Sequence, residues 1–360
     1  FDNHRSGDMK PYVFKASKFG KKFTDLTTKN IKGYALSVVQ DHVDEDLLFL
    51  GTELGLFATT NGGESWFKWT QGVPTVSVMD LAIQERENDL VVATHGRSIF
   101  VIDDYSALRG LNEKTLTQEL ALLSVTDGQQ YVANRAPSTR FWGDASYVGD
   151  NESYGVVLTV NAAGEHLPHP DKAKNKVRLD SQAKAKKDES SAPKSSEAKV
   201  VVTNAQGDVV RTFKTNVKQG VNRIVWGMES DGAKSMPGSP ASDIRNPGPQ
   251  VPPGEYSITV TLNDESFSTK AKALKDPRFT VSVADLEDNY KQQHQVVDML
   301  SVVATAAHKL ADSKKDIELI KAVASKAAKD VDENKEEHPA TKLVAKADEL
   351  IKKIGELDKH

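Results

Sequence analysis

The 360-residue chain contains no cysteine, so disulfides, thiolate metal sites and cysteine nucleophiles are excluded together. Compartment is left open by that absence. Charge of one sign is also missing: Lys and Arg number 47 against 51 Asp and Glu, for a formal net charge of -4. The two signs are interspersed, which gives no electrostatic reason to expect a nucleic-acid partner. No apolar run approaches the roughly 18 residues of a membrane-spanning helix, and nothing at the start reads as a signal peptide. The chain opens at Phe1 rather than at Met, which leaves room for a signal peptide removed with upstream sequence. Hydrophobic residues make up 38% of the chain, enough to build ordinary packed cores, and the length suits two or three domains.

The first 108 residues repeat. Phe14, Phe57 and Phe100 recur at intervals of 43 residues, and SVVQDHVDEDLLFLGTELGLF lays over DLAIQERENDLVVATHGRSIF. Short apolar, β-branched runs at 35–39, 47–51, 55–59, 76–83, 90–93 and 99–102 predict the strands of four-stranded units. A repeat of that length with four strands is the pattern of a propeller blade. TTNGGESW fits the Asp-box pattern, with Thr59, Asn61, Gly63, Ser65 and Trp66 at its defining positions. Such a box is a tight hairpin: the Asn side chain bonds turn amides, the glycines permit positive φ, and the Trp plugs the space between neighbouring blades. ASKFGKKF is an eroded earlier copy that keeps Gly20 and Phe23.

On GTELGLFATTNGGESW and NDLVVATHGRSIFVIDD, the chain resembles the last blades of bacterial exported BNR or Asp-box proteins, sortilin-like (VPS10-type) relatives of glycosyl hydrolases. The resemblance implies further blades upstream, and a place in the periplasm, on the outer membrane or outside the cell. Counting strands leaves the last unit without its outer one, so upstream sequence is expected to supply a strand beside residues 99–102, along with the remaining blades.

Farther on, KVVVTNAQGDVVRTF reads as a hairpin, and GVNRIVWGM and PPGEYSITVTL as further strands. Strands at this spacing indicate a β-sandwich. Their order resembles FlgD-type immunoglobulin-like modules, in which the Trp is core; that assigns Trp226 to the core with Tyr256 opposite it. Residues 166–197 are rich in Lys, Ala, Ser and Asp and read as a disordered insertion. From 283 onward apolar residues fall at helical spacing in three stripes, through Leu286 and Leu310, Ile317 and Val331, and Leu343 and Leu357. A helical hairpin or a three-helix tail is expected. The expected fold is thus mainly β: propeller blades over 1–108, connector and sandwich over 109–282, and helices over 283–360.

Two functions fit. The preferred one is a noncatalytic binding or scaffolding part of an exported protein, which would bind a protein, peptide or glycan. The loops joining the second and third strands of each blade are then the contact points: His4, Arg5 and Asp8 in the first, Glu53 in the next, His95 and Arg97 in the last. The alternative is part of a sialidase-like hydrolase whose catalytic residues lie in missing upstream blades; here only Arg5, Arg86, Arg97, Arg109, Tyr105 and Glu53 have the right chemistry, and no catalytic set is assigned. No cofactor or metal site is assigned either. His166 and His169 have ligand spacing without a third ligand, and the Asp103–Asp104 pair reads as a turn cap in preference to a calcium site.

Overall fold

The computed structural model describes residues 3–132, 151–185, 195–239, 247–329 and 339–357. They form a mainly β protein of several sheets with helices at the C-terminal end. Strands β1 (Phe14–Ser17) and β2 (Lys22–Asp25) make an antiparallel hairpin whose turn places Lys18, Phe19 and Gly20 at positive φ. Next comes an antiparallel meander of β3 (Ala35–Gln40), β4 (Leu48–Thr52), β5 (Gly55–Thr59) and β6 (Phe67–Trp69). A three-stranded meander follows, β7 (Val78–Gln84), β8 (Asp89–Thr94) and β9 (Ile99–Ile102). Before the hairpin lies a short 3-10 turn, His4–Ser6, closed by an Asn3–Asp8 bridge. Phe1 and Asp2 lie outside the described residues.

Alternation explains why β4 and β5 are apolar on both faces. Leu50 and Phe57 face the hairpin side, in a cluster with Val13, Ile31, Ala35 and Trp66. Phe49, Leu56 and Ala58 face the other side, against Val78, Leu90 and Val92 of the next sheet. Gly51 allows the close approach: a Cβ there would lie 2.7 Å from Cγ1 of Val78. Positions one period apart meet across the two sheets, where Ser37 Oγ donates to Asp80 Oδ1 at 3.2 Å.

A connector of one 3-10 segment, Tyr105–Gly110, and α1 (Glu113–Thr117) leads into β10 (Leu120–Thr126) and β11 (Gly128–Gln129). The elements that follow are β12 (Val156–Ala162), α2 (Lys172–Ala185), β13 (Glu197–Thr203), β14 (Val209–Asn216), β15 (Gly220–Trp226), β16 (Glu229–Asp231), β17 (Pro247–Gln250), β18 (Gly254–Leu262) and β19 (Glu265–Leu274). They assemble into sheets ordered β10-β12-β15 and β11-β19-β18-β13-β14, with β16 and β17 as a separate pair. One core joins the two larger sheets. It takes alternate residues of β13 (Ala198, Val200, Val202) and β18 (Tyr256, Ile258, Val260, Leu262), together with Leu158, Ile224 and Trp226. Trp226 meets Tyr256 edge to face at 5.1 Å between ring centroids, as expected from sequence. Its Nε1–H donates to the Glu229 carbonyl at 2.9 Å, so the buried indole leaves no donor unpaired.

The segment expected to be a disordered insertion is structured over its first two thirds. Leu167 is fully buried in the sandwich core, 172–185 form α2, and Arg178 Nη1 ties that helix to the His166 carbonyl at 3.0 Å. Strand β13 begins at Glu197, and 186–194 lie outside the described residues. Ala and Lys favour helix, so a polar run of this composition can form one on the surface without a core of its own. Truncating Leu167 to Ala is expected to cost about 2–5 kcal/mol, whereas Leu179→Ala on the exposed face of α2 should stay within about 0.5 kcal/mol. Urea denaturation of the two variants checks this; equal effects would return residue 167 to a surface loop.

The tail has two helices. α3 (Val283–Lys329) runs unbroken for 47 residues and α4 (Pro339–Leu357) folds back along it. The first two apolar stripes therefore lie on one helix, because no Gly or Pro stands between Leu310 and Ile317 to end it. Ser282 starts α3: its Oγ accepts the Asp285 N–H at 3.1 Å and donates to the Asp285 carboxylate. Pro339 opens α4, where a missing N–H costs nothing. Among the described residues no helix is long and apolar enough to cross a membrane.

Candidate functional site

The turn between β5 and β6 is held by its own side chains. Thr59 Oγ1 donates to Asn61 Oδ1 (2.8 Å) and accepts the Gly63 N–H (3.1 Å); Asn61 Oδ1 accepts the Ser65 N–H (3.0 Å), and Asn61 Nδ2 donates to Ser65 Oγ (2.9 Å). Gly62 and Gly63 take positive φ, at 66° and 93°. Trp66 is then delivered into the cluster between the hairpin and the meander, where its Nε1–H donates to the Leu26 carbonyl at 3.0 Å. Every side chain of the motif is spent on the turn or on packing.

The six residues predicted to contact a ligand lie on the 3-10 turn before β1 and on the β4–β5 and β8–β9 turns. Two of these loops are tied together. The His4 imidazole stacks on the Tyr34 ring at 4.3 Å and 7°, and the Tyr34 carbonyl accepts the Glu53 N–H at 3.1 Å. The third loop makes a similar backbone contact, the His95 N–H donating to the Ser77 carbonyl at 2.9 Å; the acceptors Tyr34 and Ser77 are one period apart, whereas the donors are one residue out of register. Thr52 Oγ1 and Thr94 Oγ1 close the corresponding turns by donating to the Gly55 and Ser98 carbonyls, at 3.1 and 2.6 Å. Arg5, His95 and Arg97 point into solvent, Leu54 is exposed beside Glu53, and His4, Asp8 and Glu53 are half-buried. Asp8 is already engaged: the Tyr12 hydroxyl, then the Lys10 N–H, donate to its carboxylate and hold its pKa below the ordinary value. At the loop ends Arg5, His95 and Arg97 are thus the exposed side chains, and His4, Asp8 and Glu53 are partly covered.

A polar cluster invisible in the sequence sits at the other end of β3. The Asp41 side chain has no exposed surface; Arg109 Nε and Nη2 grip its two oxygens at 2.8 Å each and the Tyr105 hydroxyl donates to Oδ1 at 2.6 Å. Arg109 Nη2 also donates to Asn88 Oδ1 at 2.6 Å, and Tyr105 packs edge-on against Phe49. Burial alone would raise the Asp41 pKa; the Arg109 and Tyr105 hydrogen bonds and the Asp44 N–H outweigh it and hold the carboxyl far below its ordinary range. Burial, followed by the Asp41 carboxylate, pushes the Tyr105 hydroxyl well above its ordinary value. Tyr105 and Arg109, two of the residues with hydrolase-like chemistry, are therefore committed to a sealed ion pair.

The remaining candidates are held locally. Asp104 caps the 3-10 segment, its Oδ1 accepting the Ser106 N–H at 3.2 Å, and the Thr126 hydroxyl donates to its Oδ2 at 3.1 Å. His169 Nδ1 accepts the Asp171 N–H at 2.9 Å, and His166 Nε2 lies 3.6 Å from Glu119. Among the described residues no group of three or more His, Asp or Glu is placed to hold a metal ion. An open cavity of about 250 Å³ lies where the sandwich meets α3, lined by Tyr131, Val132, Gln250, Phe279, Val281 and Leu286.

No family profile and no curated protein matches the chain. Among solved structures it is similar to the extracellular domain of a putative one-component system from B. thetaiotaomicron, at 10% identity and a TM-score of 0.21. That likeness covers 74% of this chain and 29% of the other, and is too slight to bear on fold or function.

Proposed function

We propose that the chain is the noncatalytic C-terminal part of an exported Asp-box propeller protein of the BNR, sortilin-like kind, in which residues 1–108 supply blades of a recognition platform and 109–282 an FlgD-type immunoglobulin-like support. The observation that carries the reading is a backbone contact that recurs in successive units, Glu53 N–H on Tyr34 and His95 N–H on Ser77, and holds turns of different length at the same edge of each meander. The self-contained Thr59–Trp66 turn supports the Asp-box assignment. The burial of the Asp41 cluster supports a binding role over hydrolysis, because the one carboxylate gripped by Tyr105 and Arg109 has no path to substrate. Among the described residues β9 pairs only with β8, and Ile99 and Val101 are exposed. A strand from further blades would cover them and remove an open edge.

The test has two arms. Fluorogenic glycosides, including sialosides, should show no turnover by the chain; turnover abolished by Glu53→Gln would favour the hydrolase reading. Glycan and peptide arrays probed with the chain should yield a ligand whose binding weakens about 10-fold in the Arg97→Ala, His95→Ala double variant. A ligand indifferent to that change would move the site elsewhere.

A further inference from the structure

Helix α3 carries an apolar seam that changes character halfway along. Seven-residue steps from Val296 reach Val303, Leu310, Ile317 and Ala324, positions that share one side of a helix. At the C-terminal end the seam is covered: Ala324 is 6% exposed and Leu310 and Ile317 are half-buried, with Ala347 and Ile354 of α4 buried in turn. Toward the N-terminus it is bare, with Val303 56% and Met299 67% exposed and Val296 and Leu300 similarly open.

Length explains the change. At about 1.5 Å per residue α3 is about 70 Å long and α4 about 28 Å. Lys321 pairs with Asp348, so α4, running back toward its end at Leu357, stops about level with residue 312. The sandwich packs on the opposite side of α3, through His294 to Ser230, Ser301 to Lys234 and His308 to Ser235. The bare stretch is therefore the continuation of an existing helix–helix interface, with neither of its two neighbours upon it.

We propose that this stretch is a homodimer interface, in which the stripe Gln292, Val296, Met299, Leu300, Val303 and Ala307 packs antiparallel on the same stripe of a second copy. The stripe holds no charged residue, so two identical faces meet without like-charge opposition, as an isologous twofold contact requires. A parallel pair is excluded by α4, because the two α4 helices would then compete for the space between the two C-terminal halves. An antiparallel pair centred between Met299 and Leu300 overlaps only the N-terminal halves. It sets Val296 against Val303 and Gln292 against Ala307. A contact about 24 Å long is at the small end of specific interfaces, so the expected dissociation constant is on the order of 10 µM.

Sedimentation velocity of the full chain, from about 1 to about 200 µM, should show a monomer–dimer equilibrium, weakened at least 100-fold in the Met299→Glu, Val303→Glu variant, which buries carboxylates in the seam. A second variant needs no such disruption. The chain has no cysteine, so Met299→Cys should oxidise to a covalent dimer, while Val323→Cys, equally open at 64% exposure but off the seam, should not. A chain that stays monomeric throughout, a dimer indifferent to the two glutamates in a variant of unchanged helicity, or equal cross-linking at 299 and 323 would each overturn the assignment.

Discussion

Replacing Arg109 by Ala should lower stability by about 3–5 kcal/mol, because the change leaves the Asp41 carboxylate buried without its counter-charge. Asp41 has no exposed side-chain surface and receives two hydrogen bonds from the guanidinium. Asp41→Asn should cost less, since the amide keeps its volume and accepts one of those bonds. Replacing both partners with apolar residues, Asp41→Leu with Arg109→Met, should recover much of the loss. A double-mutant cycle in urea, followed by tryptophan fluorescence, measures the coupling. Effects that simply add would mean that the pair contributes no interaction of its own.

The same cluster sets a pH dependence with a definite sign. The folded Asp41 carboxyl is depressed, so its contribution is fully present above the unfolded pKa of about 3.9 and is lost as pH falls toward the lower folded value. Tyr105 is raised, so its contribution is present below the unfolded pKa of about 10 and is lost as pH rises toward the folded value. Asp41→Asn removes the acid limb, and its stability should fall less between about pH 5 and about pH 2 than that of the unmodified chain. An unchanged acid limb would assign it to other carboxylates.

What could be read in the sequence was what local pattern encodes. The 43-residue recurrence marked most strands of the first two meanders, turn-punctuated apolar runs marked the strands of the sandwich, and the resemblance to FlgD-type modules placed Trp226 in its core opposite Tyr256. The Asp41 cluster had no such signature: 64 and 68 residues separate the acid from Tyr105 and Arg109, and DHVDED reads as one more solvated acidic loop. Helix α2 was missed because a low-hydrophobicity run of Lys and Ala is compatible both with disorder and with a surface helix. Of the helical hairpin and the three-helix tail that the stripes allowed, the structure has the hairpin. A phase change in an apolar stripe marks a change of packing partner, from sandwich to α4, without ending the helix. Of the six loop residues, only Glu53 and His95 share a recurring backbone contact, whereas the stacking of His4 on Tyr34 and the sequestration of Asp8 by Tyr12 depended on local geometry.

Trp66→Ala should be the most damaging single change in the first 108 residues, at about 3–5 kcal/mol. Its side chain is buried among Val13, Ile31, Ala35, Leu50 and Phe57, so it is the piece of the meander that touches the hairpin side most deeply. Two hydrogen bonds cross the same seam, from Trp66 Nε1 to the Leu26 carbonyl at 3.0 Å and from Asn30 Nδ2 to the Trp66 carbonyl at 3.3 Å. Truncation empties the wedge and also strands the Leu26 carbonyl. Trp66→Phe, which keeps an aromatic plug and loses mainly the indole donor, should cost only about 1–2 kcal/mol. Hydrogen exchange separates a local from a global effect. In Trp66→Ala the Leu26 amide, bonded to the Val13 carbonyl at 2.8 Å, should lose protection first. Amides of β13 and β18, in a different core, should keep theirs. Equal loss in both regions would show that the hairpin and the sandwich unfold as one unit, and unchanged protection of Leu26 would show that Trp66 does not hold the hairpin to the meander.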